Sequence, residues 1–180
     1  MNVQRTDRQQ LILVDEHDEV VGTCSKLEAH QNGGVLHRAF SIFIFNARGE
    51  MLLQQRAASK YHFACLWSNA CCSHPLRGQD TSDAAHERLR TEFGFQTPLE
   101  PVCSFVYRAY DAASGLTEHE FDHVFRGHWN GEMRPNPEEI AAWKWMSVPD
   151  LRADLEMRPQ LYTPWFRIVL EQVLAGHVVA

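Results

Sequence analysis

Short hydrophobic runs separated by turn residues dominate the first third of the chain. Residues 11–14, LILV, predict a strand, and residues 20–24 are expected to pair back as a second strand after the polar turn DEHDE. Residues 39–45 and 51–55 are rich in apolar side chains and flank the turn 46–49, a pattern typical of a β-hairpin. This part of the chain is therefore expected to form a sheet.

A helical pattern appears in the middle of the chain. Apolar residues recur there at i, i+4 and i+8, which predicts a helix that Thr81 or Ser82 caps and that Gly94 ends. Arg88 and Glu92 lie one turn apart on another face of the same helix.

The remainder of the chain returns to strands before it ends in helices. Three strands are predicted there, over residues 101–110, 116–129 and 141–146. A turn at 113–115 joins the first two of them. One helix is predicted over 148–157, and a last helix is expected to open at Thr163-Pro164 and to end at Gly176.

Strands over the first three quarters, with helices in the middle and at the end, are typical of an α+β fold with a mixed β-sheet flanked by helices. The segment 26–36, which contains Asn32-Gly33-Gly34, is predicted to include a loop, and the stretch 57–76 is irregular. No repeat or linker divides the chain. We therefore expect a single domain over residues 1–180, with its core at about 11–175.

The composition is that of an ordinary folded protein. Hydrophobic residues make up 44% of the chain and charged residues 22%, and the formal net charge is −6. This charge argues against a nucleic acid or a membrane as partner, and no apolar run is long enough for a signal peptide or a membrane span. The 5 cysteines form no disulfide pattern. We expect a cytoplasmic protein with a small-molecule partner, present as a monomer or weak homodimer.

The segment Glu118-His119-Glu120 is the first candidate for chemistry. Alternate side chains of a strand share a face, so the two glutamates point one way and the histidine points the other. Two carboxylates on one face repel each other unless a cation or a proton lies between them. Taken alone, however, the segment is explained more simply as a solvated polar strand face.

Three histidines in irregular segments are candidates to join these glutamates. His74 follows two cysteines in a proline-bounded stretch, and His30 and His37 flank the glycine-rich loop. Taken one at a time, each is explained as a hydrogen-bonded structural histidine. Together, three imidazoles and two carboxylates would give a divalent ion a mixed nitrogen and oxygen shell, which suits octahedral Mn²⁺, Mg²⁺ or Fe²⁺, or an expanded Zn²⁺ site.

A cysteine pair and several cations complete the candidate chemistry. Cys71 and Cys72 lie between Asn69 and Pro75, where a disulfide between neighbours would be strained and a reactive thiol would need access and a tuned pKa. Cations stand near turns and on the predicted helix: Lys26, Arg56, Lys60 and Arg88. Each alone reads as a solvated residue. A diphosphate would need several of them, usually with a divalent ion that bridges its oxygens.

Put in order along the chain, these pieces resemble the type I isopentenyl-diphosphate isomerases, which carry a Nudix-like fold. The motifs that carry the resemblance are LEAHQNGGVLHRAF, FIFNARGEMLLQQRAASK, LWSNACCSHP, HERLRTEFG, SFVYRA, EHE and TPW. They run in unbroken order from about residue 13 to residue 165. The run NACCSHP is the most specific of them.

The resemblance implies an isomerase that interconverts isopentenyl diphosphate and dimethylallyl diphosphate, by protonation and deprotonation through a tertiary carbocation, in isoprenoid biosynthesis. It implies that Cys72 and Glu120 form the catalytic pair. Tyr107 would hydrogen-bond the catalytic carboxylate, and Trp165 would lie over the hydrocarbon end. One Mn²⁺, Mg²⁺ or Zn²⁺ would be held by five ligands, His30, His37, His74, Glu118 and Glu120. Glu92 and Cys72 would bind Mg²⁺ with the substrate diphosphate. Four cations would also contact that diphosphate: Lys26, Arg56, Lys60 and Arg88.

The helix motif departs from that of a working Nudix hydrolase, which usually carries Arg-Glu followed by Glu-Glu. Here residues 87–94 read ERLRTEFG, and Glu92 and Gly94 alone keep the pattern well. A hydrolase would need more carboxylates for its Mg²⁺ ions, so the sequence favours the isomerase over a diphosphate hydrolase. A non-catalytic metal-binding domain is the third reading, and it leaves Cys72, Tyr107 and Trp165 without a role.

Overall fold

The structure, a computed structural model, describes residues 10–175. Within that range the sheet has nine strands: β1 (Gln10–Val14), β2 (Val20–Ser25), β3 (His37–Phe45), β4 (Met51–Arg56), β5 (Trp67–Ser68), β6 (Cys71–Ser73), β7 (Glu100–Asp111), β8 (Leu116–His128) and β9 (Ile140–Met146). The helices are α1 (Lys26–His30), α2 (Thr81–Phe93), α3 (Val148–Met157) and α4 (Pro164–Ala175), with a 3₁₀ turn at Pro159–Leu161. The predicted end of the last helix at Gly176 lies outside the described residues. No helix between residues 10 and 175 is both long and apolar enough to cross a membrane.

Strand β3 is central to the sheet, because neighbouring strands occupy both of its edges. Along one edge it runs parallel to β8, from the pair His37 and Glu120 to the pair Phe45 and His128. Strands β1, β6 and β4 follow one another along the other edge. Strand β8 also runs antiparallel to the preceding strand, β7, over almost the whole length of β7. Residues distant in sequence therefore meet along β3.

The structure confirms the turn of the hairpin predicted for β3 and β4, but the two strands pair less than predicted. The N–H of Gly49 donates to the carbonyl of Asn46 at 3.0 Å and closes the turn. Across the two strands, however, the register pairs Phe45 with Met51 and goes no further. Strand β6 occupies the adjoining edge of β3, so β4 diverges and pairs with β9 and β5 instead.

Side chains of β3 alternate between two hydrophobic cores. Phe40, Ile42 and Ile44 pack with Leu89 and Phe93 of α2 on one face. On the opposite face, the remaining aromatic residues of β3 meet the buried residues of α4. Each fully buried side chain of this size contributes about 1.5–3 kcal/mol relative to exposure. Helices flank a mixed sheet on both sides, which confirms the predicted α+β fold in a single domain.

Helix α2 begins at the predicted place, but its cap is one residue earlier. The side chain of Asp80, and not that of Thr81 or Ser82, accepts hydrogen bonds from the N–H groups of Ser82 and Asp83. A carboxylate at this position also faces the positive end of the helix dipole, which favours it over a hydroxyl. Gly94 ends the helix as predicted, with a φ of 75°.

Part of the segment 26–36 is helical. Ser25 and Glu28 form a reciprocal capping box at the start of α1. The helix has 5 residues, too few for an apolar period to show in the sequence. The predicted loop follows it, with positive φ at Asn32, Gly33 and Gly34.

Candidate active site and metal centre

Five side chains from distant segments converge beside the first residues of β3. They are His30 at the end of α1, His37 at the start of β3, His74 after β6, and Glu118 and Glu120 on β8. One ligand atom from each lies within 4.8 Å of all the others. The parallel register that pairs His37 with Glu120 accounts for part of this convergence. His119 points to the other face, as the strand alternation predicts, and its Nδ1 lies 3.3 Å from the carbonyl of Gly34.

Backbone carbonyls orient the imidazoles of His30 and His37. The Nδ1 of His30 donates to the carbonyl of Lys26 at 2.6 Å, and the Nδ1 of His37 donates to the carbonyl of Val35 at 2.7 Å. Each ring therefore turns its Nε2 lone pair toward the cluster. The Nε2 of His37 is buried without a hydrogen-bond partner among the described residues. Such an arrangement is typical of a histidine that ligates a metal.

The carboxylates complete a set of donors that needs a positive charge at its centre. The Oε2 of Glu118 lies 3.0 Å from the Nε2 of His30 and 4.0 Å from the Nε2 of His37. Two electron-rich atoms at the shorter separation repel each other unless a proton or a metal ion lies between them. Three imidazoles and two carboxylates therefore fit a divalent ion.

Glu120 is held between this cluster and Tyr107. Its Oε1 lies 2.7 Å from the Nε2 of His74 and 3.7 Å from that of His37, and its Oε2 accepts a hydrogen bond from the Tyr107 hydroxyl at 2.5 Å. Burial raises the pKa of Tyr107 well above its ordinary value, so the phenol stays a donor. Burial and the charge of Glu118 raise the pKa of Glu120, but its contacts with His37 and His74 outweigh them and lower it. Glu120 is therefore a carboxylate.

The thiol of Cys72 lies in the core on the same side of the sheet as Tyr107 and has three polar neighbours. The indole Nε1 of Trp165 lies 3.1 Å from its sulfur, the Oδ1 of Asn69 lies 3.2 Å away and the Oγ of Ser41 lies 3.5 Å away. Burial is the main cause that raises the pKa of Cys72 to about 12. The thiol therefore keeps its proton near neutral pH.

Two aromatic residues connect the thiol with the carboxylate. The rings of Tyr107 and Trp165 lie 6.1 Å apart, and each donates a hydrogen bond to one of the two groups. Cys72 is on β6 and Glu120 is on β8, which pair with opposite edges of β3. The fold thus presents a protonated thiol and a charged carboxylate at one site.

A second polar network lies where α2 meets β4. Arg88 and Glu92 form an ion pair one helical turn apart, and the buried Glu92 accepts a hydrogen bond from the amide of Gln54 at 3.0 Å. The ammonium of Lys60 lies 3.7 Å from Glu92. Glu139, which precedes β9, contacts Lys60 and accepts from Arg88 at 2.7 Å. The sequence-derived pair of Arg88 and Glu92 therefore belongs to a larger network.

The four cations predicted from the sequence lie close enough together for three of them to affect the pKa of the fourth, Lys26. Burial is the main cause that lowers the pKa of Lys26; Glu118 opposes this shift, and the positive charges of Arg88, Lys60 and Arg56 add to it. Three cations that disfavour the charge of a fourth favour an anion among them.

Arg56 is also bound within the protein. Its Nε donates to the carbonyl of Phe63 at 3.0 Å, and its terminal nitrogen donates to the carbonyl of His62 at 2.9 Å. The guanidinium carbon lies 5.4 Å from the centre of the Trp165 ring. Arg56 therefore fixes the loop 57–66 next to Trp165.

Among the polar groups of this site that reasoning from the sequence missed are three titratable side chains. The Nε2 of His62 lies 2.8 Å from the Oε1 of Glu118, and Glu139 bridges two cations, as described above. The buried Asp122 accepts from Ser41 at 2.7 Å, next to the thiol. Strand alternation could have indicated Asp122, which continues the face of the two glutamates. His62 and Glu139 lie in irregular segments, where no period shows which way a side chain points.

The chain is similar to characterised families in both sequence and fold. The NUDIX domain family model matches residues 35–166. The isopentenyl-diphosphate Delta-isomerase of Halorhodospira halophila (strain DSM 244 / SL1) is 48% identical over 163 residues, which cover 90% of this chain and 93% of that protein. Isopentenyl-diphosphate Delta-isomerase 2 of Aromatoleum aromaticum (strain DSM 19018 / LMG 30748 / EbN1) is 49% identical over 166 residues, covering 92% and 87%.

Solved structures share the fold at lower identity. A protein from Deinococcus radiodurans matches with a TM-score of 0.64 and 21% identity, over 86% of this chain and 100% of its own. A MutT protein from Methanosarcina mazei Go1 matches with a TM-score of 0.64 and 16% identity, over 78% and 94%. At these identities the comparison concerns the fold.

Proposed function

The chain belongs to the isopentenyl-diphosphate Delta-isomerases, a family built on the NUDIX domain, and we propose that Cys72 and Glu120 are the groups that perform its reaction. The enzyme is an isomerase that interconverts isopentenyl diphosphate and dimethylallyl diphosphate, a step of isoprenoid biosynthesis. The observation that supports these roles is a series of contacts between the two groups: the N–H of Trp165 points at the sulfur of Cys72, the hydroxyl of Tyr107 donates to Glu120, and the two rings lie 6.1 Å apart.

The reaction needs one proton donor and one proton acceptor. A proton is added to one carbon of an unactivated alkene and another proton is removed from a different carbon, through a tertiary carbocation. Water would trap this cation, so the pocket must exclude solvent. One of Cys72 and Glu120 would give a proton and the other would take one, and their strands lie at opposite edges of β3. The two groups can therefore act on different sides of a flat substrate.

Two aromatic side chains support this pair. The hydroxyl of Tyr107 holds one oxygen of Glu120 and so fixes which oxygen can accept a proton. The ring of Trp165 would lie over the hydrocarbon end, where a π face stabilises a desolvated cation by about 2 kcal/mol. Its N–H, directed at Cys72, would orient the thiol.

The converging donors would hold one divalent ion, Mn²⁺, Mg²⁺ or Zn²⁺. The ligands would be His30, His37, His74, Glu118 and Glu120. The unpartnered Nε2 of His37 and the facing acceptors of His30 and Glu118 support this proposal. When bound, the ion would supply positive charge that polarises and orients the carboxylate of Glu120.

The network on α2 would bind the substrate diphosphate. Its cations would be Lys26, Arg56, Lys60 and Arg88. Glu92, with Cys72, would bind the Mg²⁺ that accompanies the diphosphate. Binding energy from this distant, charged group would hold the small apolar part of the substrate in place.

The cellular setting is proposed from the bulk properties. The five cysteines are unpaired, which is typical of a reducing compartment such as the cytoplasm. A net charge of −6 favours a small charged substrate, bound by placed cations, over a nucleic acid or a membrane surface. The protein would work as a monomer or weak homodimer.

Incubation with isopentenyl diphosphate and Mg²⁺ in D₂O tests the reaction. Deuterated dimethylallyl diphosphate should appear in the NMR spectrum, and no inorganic phosphate or diphosphate should be released. Release of phosphate without isomerised product would favour a hydrolase. Isomerised product without deuterium would contradict exchange through acidic groups of the protein.

A further inference from the structure

His62 contacts the cluster of candidate metal ligands, although its loop lies outside the motifs that predicted those ligands. Its Nε2 lies 2.8 Å from the Oε1 of Glu118, and the residue is 7% exposed. A carboxylate oxygen accepts hydrogen bonds, so the Nε2 of His62 is the donor in this contact. Its Nδ1 has no hydrogen-bond partner in the described part of the chain.

The two oxygens of Glu118 face different partners. The Oε2 lies near the Nε2 atoms of His30 and His37, inside the cluster of candidate ligands. The Oε1 lies against His62 instead. A hydrogen bond to Oε1 therefore leaves Oε2 as the oxygen that Glu118 can offer to an ion.

The position of His62 is fixed by its surroundings. Its ring stacks on that of His30, with centroids 5.0 Å apart and an interplanar angle of 21°. Arg56 binds the carbonyls of His62 and Phe63, and the N–H of Phe63 donates to a carboxylate oxygen of Asp111 at 2.9 Å. Because the loop is held from both sides, the imidazole can hold Glu118 in turn.

We propose that His62 is a positioning residue of the metal centre: its Nε2–H holds the Oε1 of Glu118, so that this glutamate ligates through Oε2 alone. The role rests on the proposed metal centre and adds a residue outside its five ligands. Hydrogen-bonding partners behind a metal ligand set its orientation, and their loss commonly weakens metal binding by about 10- to 100-fold.

Two amide substitutions distinguish a need for a hydrogen-bond donor at the right distance from a need for the imidazole itself. The amide nitrogen of glutamine reaches about as far as the Nε2 of histidine, whereas that of asparagine reaches only about as far as Nδ1. The experiment titrates metal-free proteins with Mn²⁺ in competition with a fluorescent chelator. The proteins are the parent and the variants His62→Gln, His62→Asn and His62→Ala. We expect His62→Gln to stay within about threefold of the parent. The other two should bind Mn²⁺ about 10- to 100-fold more weakly.

His119→Ala is the matched control, since His119 lies on β8 between the two glutamates but points away from the cluster. Its Mn²⁺ affinity should equal that of the parent. Equal affinity for parent and His62→Ala would overturn the role of His62 while leaving the metal centre intact. Equal weakening in His62→Gln and His62→Ala would also overturn it, because the imidazole would then act as a ligand itself. A parent that binds no Mn²⁺ would overturn the metal centre and this role together.

Discussion

The indole Nε1 of Trp165 lies 3.1 Å from the sulfur of Cys72, and this contact joins the start of α4 to strand β6. The same N–H lies 3.1 Å from the Oγ of Ser68 and 3.3 Å from the Oδ1 of Asn69, so it is shared among three acceptors. The resemblance to known isomerases gave Trp165 a role through its ring face. The structure adds a second contact, because the N–H at the edge of the ring points at the thiol.

Trp165→Phe keeps an aromatic face and removes the N–H. We expect kcat to fall about 3- to 10-fold, in line with about 1 kcal/mol for one hydrogen bond, with little change in KM. Steady-state kinetics with isopentenyl diphosphate would measure both. Trp67→Phe is the control, because it also removes an indole N–H, from a half-buried tryptophan beside the same core. It should leave kcat within about twofold of the parent. An unchanged kcat in Trp165→Phe would show that the ring face alone matters.

Lys60→Gln tests the diphosphate site. Lys60 contacts Glu139 and lies 3.7 Å from Glu92, so its charge belongs to the network that would receive the substrate anion. Loss of a charge-assisted contact of about 1.5–3 kcal/mol predicts a KM roughly 10- to 100-fold higher, with a smaller effect on kcat. Lys144→Gln removes a lysine that lies over the Trp67 ring, and it should leave KM unchanged. Equal KM values for the two variants would place the diphosphate elsewhere.

Removal of the metal should lower thermal stability. An ion that binds the folded state at 100 times its Kd adds about 2.7 kcal/mol. For a domain of this size, that predicts a Tm about 5–11 °C higher with Mn²⁺ than after chelation. His37→Ala removes the imidazole whose Nε2 lacks a partner among residues 10–175, and it should reduce this difference strongly. Identical melting curves for the parent with and without Mn²⁺ would count against the metal centre.

The contact between Asp154 and Tyr162 predicts a pH dependence of stability. The Tyr162 hydroxyl donates to Asp154 at 2.5 Å, and this hydrogen bond, with Arg158, lowers the pKa of Asp154 below its ordinary value. A carboxyl whose pKa is lower in the folded state stabilises the fold above its unfolded pKa of about 3.9. That contribution is lost as the pH falls through the lower folded value.

Asp154→Asn should therefore lower the free energy of unfolding by about 1–2 kcal/mol at pH 7, as urea titrations would measure. The difference from the parent should stay constant down to about pH 5 and shrink below about pH 4. Asp150→Asn removes an exposed carboxylate from the same helix and serves as the comparison. A difference that grows on acidification would contradict the sign of the argument.

Much of the sheet could be predicted because its strands are bounded by strong turn signals. The turns at 46–49 and 113–115 and the alternation through Glu118 and Glu120 are local features, readable from neighbouring residues. The parallel pairing of β3 with β8 is not local, since it joins His37 to Glu120 across nearly half of the chain. No period in the sequence indicates such a pairing.

The same division between local and non-local features applies to the site. Residue types and the ordered motifs together pointed to five candidate ligands, and the structure brings their ligand atoms within 4.8 Å of one another, but strand alternation alone gave only the shared face of two glutamates. His62 could not be predicted, because positive φ angles at Phe63 and Cys65 turn its loop in a way that propensities do not show. Glu139 is placed by packing between β9 and α2, and its role depends on side chains distant in sequence.

Turnover of Cys72→Ala, compared with the parent at equal metal content, tests the central claim most directly. If Cys72 is one of the two proton-transferring groups, kcat should fall by about 10²- to 10⁴-fold while Mn²⁺ affinity and Tm stay close to those of the parent. Cys65→Ala, which changes an exposed thiol, should retain full activity. A Cys72→Ala enzyme with kcat within about threefold of the parent would contradict the account, because the proton would then come from another group.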